Sequence, residues 1–113
     1  MADKKPIFRR AIPETFKQDV EIAVGGQVLG TIEFEFLYVR PADLEAFNAS
    51  QAGKTNIETL AEIVRGWSGV LNEAGETIPF STDALGGLLD DYHSATKIMS
   101  AWYLGLTGAL AKN

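Results

Sequence analysis

FKQDVEIAVGGQVLGTIEFEFLYV, residues 16–39, alternates apolar and polar side chains with a period of two, the spacing of a half-buried strand. Phe16, Gln18, Val20, Ile22 and Val24 lie on one face, with Lys17, Asp19 and Glu21 on the other. After Gly25-Gly26 the pattern resumes with Val28, Gly30, Ile32, Phe34, Phe36 and Tyr38 opposite Thr31, Glu33 and Glu35. Two strands around a glycine pair predict an antiparallel β-hairpin over 16–39, and the Gly-Gly dipeptide suits a two-residue turn. That turn, however, would set Val20 against Thr31 and mix apolar with polar positions on one face. A slip of one residue reverses a whole strand, so burial should prevail. A loop of Gly25 to Gln27 pairs Val24 with Val28, Val20 with Ile32, Phe16 with Phe36 and Lys17 with Glu35, and is the register expected here.

The chain beyond the hairpin changes to helical spacing. Pro41 suits the first position of a helix continuing through Ala42 to Gln51, with Leu44 and Phe47 inward. Asn56 is placed to cap the next helix, whose stripe is Ile57, Leu60, Ala61, Val64 and Trp67, ending between Gly66 and Gly69. Asn72 to Glu76 is turn material, and Ile78-Pro79-Phe80 is extended because proline lacks a backbone donor and keeps its predecessor out of the helical region. Ser81 caps a third helix starting at Thr82, on which Leu85, Leu88, Leu89 and Tyr92 share a face. Ser94 caps a fourth, where Ala95, Ile98, Met99, Trp102, Tyr103, Leu106, Ala109 and Leu110 form an arc of about 140°. The fold class is therefore α+β: an N-terminal antiparallel hairpin followed by about four helices, in one domain spanning 1–113. Residues 1–15 form a loose arm, 16–39 the hairpin and 41–112 the helical part. The expected core comprises Trp67, Phe80, Leu85, Leu88, Leu89, Tyr92, Ile98, Trp102 and Leu106.

With 113 residues, of which 46% are hydrophobic, one core can form without staples. Cysteine is absent, which excludes disulfides and thiolate chemistry, and a lone histidine, His93, excludes a histidine-rich metal site. No cofactor is indicated. The net charge of −5 disfavours a nucleic-acid partner, and no apolar run is long enough for a membrane span. The N-terminus has no apolar stretch of the signal-peptide kind, so a soluble cytoplasmic protein is expected. Lys4, Lys5, Arg9 and Arg10 concentrate positive charge in the arm, which reads first as solvated.

Catalytic readings find little support. Glu33 and Glu35 share a strand face and Asp90 adjoins Asp91, but nothing apolar surrounds either pair to separate their pKa values. His93 with Asp90, Asp91 and Ser94 makes a hydrolase set on paper only, because a triad needs convergence in space. Gly86-Gly87 and Gly25-Gly26 lack the spacing of a phosphate loop. What remains is surface. Leu104 lies on the polar back of the last helix, and Tyr103 and Leu110 lie at the edge of its arc, so these three are the candidate partner contacts. Gly105 and Gly108 in the same helix read as end fraying in preference to a close approach.

Residues 67–113 resemble tail assembly chaperones of long-tailed bacteriophages. The matching positions are Trp67, Gly75, Glu76, Ile78, Pro79, Phe80, Ser81, Leu85, Leu88, Leu89, Tyr92, Ala95, Ile98, Ala101, Trp102, Lys112 and Asn113. The hairpin leading through Val39-Arg40 into a Leu-Glu-x-Phe helix is similar as well. His93 stands where the family has proline, and Leu110 where it has arginine. The resemblance implies a non-enzymatic protein that binds the helical tape measure protein in the host cytoplasm, keeps it soluble while the tail tube polymerises, and is absent from the virion. It also implies a programmed frameshift near the gene's end. Ala111-Lys112-Asn113 can be encoded GCA AAA AAC, which contains the slippery heptamer A AAA AAC, and a longer frameshifted form would bring in the tail tube protein as second partner. The alternatives are a structural tail completion or connector protein, and a small enzyme or regulator using His93. Self-association is left open by the residues.

Overall fold

A computed structural model describes residues 5–108. Leu110, with Ala109, the Ala111–Asn113 end and Lys4 of the arm, lies outside the described residues. The elements run β1 (Thr15–Val24), β2 (Gln27–Leu37), α1 (Pro41–Ser50), α2 (Asn56–Ile63), β3 (Val64–Ser68), α3 (Thr82–Asp91) and α4 (Ala95–Leu106). The predicted hairpin and four helices are present, and a third strand joins them: the sheet is antiparallel in the order β1-β2-β3.

The hairpin satisfies both of its competing demands. Gly25 and Gly26 make a two-residue turn with φ of 60° and 80°, backbone that glycine adopts without steric cost. Inside the hairpin the register is still the one that burial favours, with Phe16 opposite Phe36, Lys17 opposite Glu35 and Val20 opposite Ile32. A bulge beside Ile22 and Ala23, with Leu29 as the extra residue on β2, absorbs the one-residue difference. The expected Gly25–Gln27 loop is thereby corrected: Val24 pairs with Gln27, and Val28 with Ala23.

The second correction concerns Trp67. It lies on β3, not on a helix extended from α2. After Ile63 the backbone turns extended, and Val64 pairs with Phe36 while Trp67 pairs with Phe34. Arg65 is the extra residue of a second bulge, so Val64 and Trp67 reach the same face although three residues apart. A spacing of three is a helical signature, and here a bulged strand reproduces it. α2 is capped by Thr55, not Asn56: the Thr55 hydroxyl accepts from the Glu58 amide and the Glu58 carboxylate from the Thr55 amide.

One face of the sheet carries Val20, Ile22, Ile32, Phe34 and Phe36 into a core completed by Leu60, Ile63, Val64, Leu85, Ile98, Ala101 and Trp102. Trp67, Phe80, Leu88, Leu89 and Leu106 are half-buried against it. Phe80 is placed by the turn at 72–76, where Asn72 Oδ1 accepts from the Glu76 amide at 2.9 Å. Its ring meets Trp67 edge-on at 5.3 Å, while Trp67 Nε1 donates to the Ile78 carbonyl at 2.9 Å. Tyr92 departs from its expected core position. α3 stops at Asp91, Tyr92 is already extended, and its side chain is 36% exposed.

Gly105 owes its place to close approach, and the fraying explanation fails. A methyl group there would overlap the Phe16 ring of β1 and press on Gln18 Oε1. Gly108 ends the helix at φ 75°, a left-handed cap. Gly87, by contrast, faces open space within α3. Replacing Gly87 by Ala should therefore raise stability by up to about 1 kcal/mol through helix propensity. Gly105→Ala should lower it by about 1–3 kcal/mol through overpacking. Urea unfolding of both variants checks the pair, and a gain from Gly105→Ala would contradict the packing of α4 on β1.

Candidate functional site

At 100° per residue, the predicted arc of α4 centres between Ala95 and Leu106. The observed buried strip, Ile98, Ala101 and Trp102 with Gly105 beside it, is rolled from that centre by about 80°. The small side chains of Ala101 and Gly105 draw this side of the helix against β1. The roll turns Tyr103, at the other edge of the arc, outward to 49% exposure, while Leu104, on the opposite flank, is carried toward β1 and stays 39% exposed.

Those two residues share a shallow groove of about 510 Å³ with Thr96, Met99, Ser100 and Trp102. Tyr103 and Leu104, two of the sequence-based candidates for partner contact, both line it; Leu110, the third, falls outside the described residues. Met99, assigned to the buried arc, is half-buried and lines the groove as well. Thr96 and Ser100 carried no separate signal beyond their helical spacing from Tyr103. The floor is rigid because Trp102 is anchored twice: Nε1 donates to the Leu37 carbonyl at 2.9 Å, and the ring packs on Phe47 of α1 at 5.6 Å.

A second cleft of about 280 Å³ adjoins the first, sharing Ser100 and Leu104, and its far wall is the β1 segment Asp19-Val20-Glu21. Lys97 also lines it. A separate exposed apolar group, Val24, Val28 and Leu29, sits at the hairpin tip. The cleft beneath that tip, running from Leu29 to Leu71 and Tyr92, is smaller, at about 180 Å³.

The paper constellation around His93 is not assembled as a triad. Ser94 is buried, and its hydroxyl donates to the Tyr92 carbonyl at 3.4 Å. It stands at the N-cap of α4, as expected, without a side-chain capping bond. Glu35 accepts from the Thr15 hydroxyl at 2.7 Å, and Glu33 lies 3.9 Å from Lys17 Nζ. Among the described residues no group of three or more histidine, cysteine, aspartate or glutamate side chains could hold a metal. The shifted titrations belong to exposed local pairs. A hydrogen bond to Asp43 raises the Arg40 guanidinium; the Thr55 backbone bond holds Glu58 below the usual carboxylate range; a bond from Lys54 does the same for Glu62.

No protein-family model, curated protein or solved structure matches this chain.

The geometry separates floor from surface. Trp102→Ala should cost about 3–5 kcal/mol of folding stability. Leu104→Asp, on an exposed rim, should change it by no more than about 0.5 kcal/mol. Chemical denaturation distinguishes them, and an equal loss in both would mean that α4 is oriented differently.

Proposed function

We propose that this protein is a tail assembly chaperone of a long-tailed bacteriophage. In the cytoplasm of the bacterial host it binds the tape measure protein, keeps that client soluble while the tube polymerises, and is released before the virion is complete. The observation that carries the reading is the apolar outer face of α4. Met99, Tyr103 and Leu104 stand on a helix whose opposite side is fixed to the sheet, so they form a preset surface for another amphipathic helix.

A tape measure segment presents apolar stripes at helical spacing, and covering them keeps it from aggregating. The resemblance of the segment from Trp67 to Asn113 to such chaperones supplies the identity of the client. No helix among the described residues is long and apolar enough to cross a membrane, which accords with a site of action in the host cytoplasm.

The test is co-expression with the long helical reading frame that follows this gene. The client should be soluble and co-purify with the wild-type chain, and should be insoluble with Leu104→Asp. Equal solubility without the chain, or stoichiometric recovery of the chain in purified virions, would contradict the proposal. Nucleotide sequencing across codons 111–113 examines the longer form separately: A AAA AAC followed by an open −1 frame is the expected result.

A further inference from the structure

The arm ahead of β1 is basic and apolar at once. Ile7 is 96% exposed, Phe8 85% and Ile12 63%, while Lys5, Arg9 and Arg10 alternate with them in sequence. Residues 1–14 hold four basic and two acidic side chains, so with −5 for the whole chain the remainder carries −7. Large aromatic and aliphatic side chains do not remain in water without cost, and covering them is favourable. Two uncovered surfaces therefore stand on one chain, an apolar basic arm and an apolar groove beside an acidic wall.

We infer that the arm of one copy docks on the α4 groove of a second copy, and that the second copy's arm does the same in return. Ile7 and Phe8 cover Met99, Tyr103 and Leu104. Arg9 and Arg10 reach the adjoining cleft, which Asp19 and Glu21 line from the edge strand β1 and Lys97 from α4; Lys17 shares the strand face of the two acids. The occupant is argued from charge. The arm's sign is opposite to that of the body, whose net charge is −7 without residues 1–14. An exchange of identical segments closes as a two-fold dimer. Pro13, two residues before β1, keeps Ile12 out of the helical region, so the arm is extended where it joins the strand. The inference uses the same groove as the proposed function but does not depend on the phage reading. Where both hold, the client displaces the arm.

Sedimentation velocity on the full chain over a wide concentration range tests it. A monomer–dimer equilibrium is expected, weakened by salt because exposed charges are screened beyond about 10 Å at moderate ionic strength. Phe8→Asp, at a solvent-exposed position, should abolish the dimer while leaving the fold and client solubility intact; Leu104→Asp should lose both dimer and client. Arg9→Glu with Arg10→Glu should weaken association at least about tenfold, and Asp19→Lys with Glu21→Lys on the same chain should restore it. A monomer at every concentration, including one whose arm is protected on its own groove, overturns the inference. So does a dimer indifferent to Phe8→Asp, or a charge exchange that restores nothing. Dimerisation failing while client solubility persists would leave the proposed function standing by itself.

Discussion

A row of aromatic rings crosses the whole sheet, and the rest of the molecule is positioned by it. Phe16 meets Phe36 at 5.7 Å, Phe36 meets Phe34 at 5.6 Å, Phe34 meets Trp67 at 6.2 Å, and Trp67 meets Phe80 at 5.3 Å. Phe34 and Phe36 are fully buried at its centre. Phe16, Phe36, Phe34 and Trp67 come from the three strands and Phe80 from the connection ahead of α3, so the row exists only if both strand registers are held. Aromatic pairs of this kind are worth about 0.5–1.5 kcal/mol beyond the area they bury. That gain is enough to explain why the bulges at Leu29 and Arg65 are accepted. Each leaves one residue out of the ladder and in return keeps Phe16, Val20, Ile32, Phe34, Phe36, Val64 and Trp67 in register on the core face.

The same row sets the position of α4. Phe16 lies at the β1 end of it, and Gly105 is where the helix meets Phe16. With no side chain at 105 and only a methyl at 101, the helix settles close to β1 and rolls toward it. Tyr103 is turned outward as a consequence, and Leu104 comes to border β1. The candidate groove is thus the outer side of the packing that closes the core. Its floor, Trp102, is the residue that ties α4 to the end of β2 and to α1.

Much of this was legible in the residues because local and global signals agree. The period of two from Phe16 to Tyr38, the proline before Ala42 and the serine before Thr82 each mark their element correctly. The departures share one physical cause: a single inserted or missing group that periodicity cannot see. Leu29 let a two-residue glycine turn coexist with the buried register, so neither simple loop length described the hairpin. Arg65 gave β3 the three-residue spacing of a helix, hiding Trp67 on a strand. Gly105 rotated α4 away from the centre of its own hydrophobic arc, exposing Tyr103. Tyr92 differs, since its helix ended one residue early. Leu104 was placed on the surface because it lies about 170° from the predicted arc's centre, and it stays exposed at about 110° from the observed buried strip. Met99 lies inside the predicted arc, and the roll leaves it half-buried at the groove.

The central claim is that the outer face of α4 is the surface on which a helical client is held. Hydrogen exchange of the full chain with and without the co-expressed client measures this directly, segment by segment. Slowed exchange along residues 96–104, with the hairpin tip at 24–29 unchanged, is the predicted result. Protection confined to the hairpin tip, with α4 indifferent to the client, would contradict it.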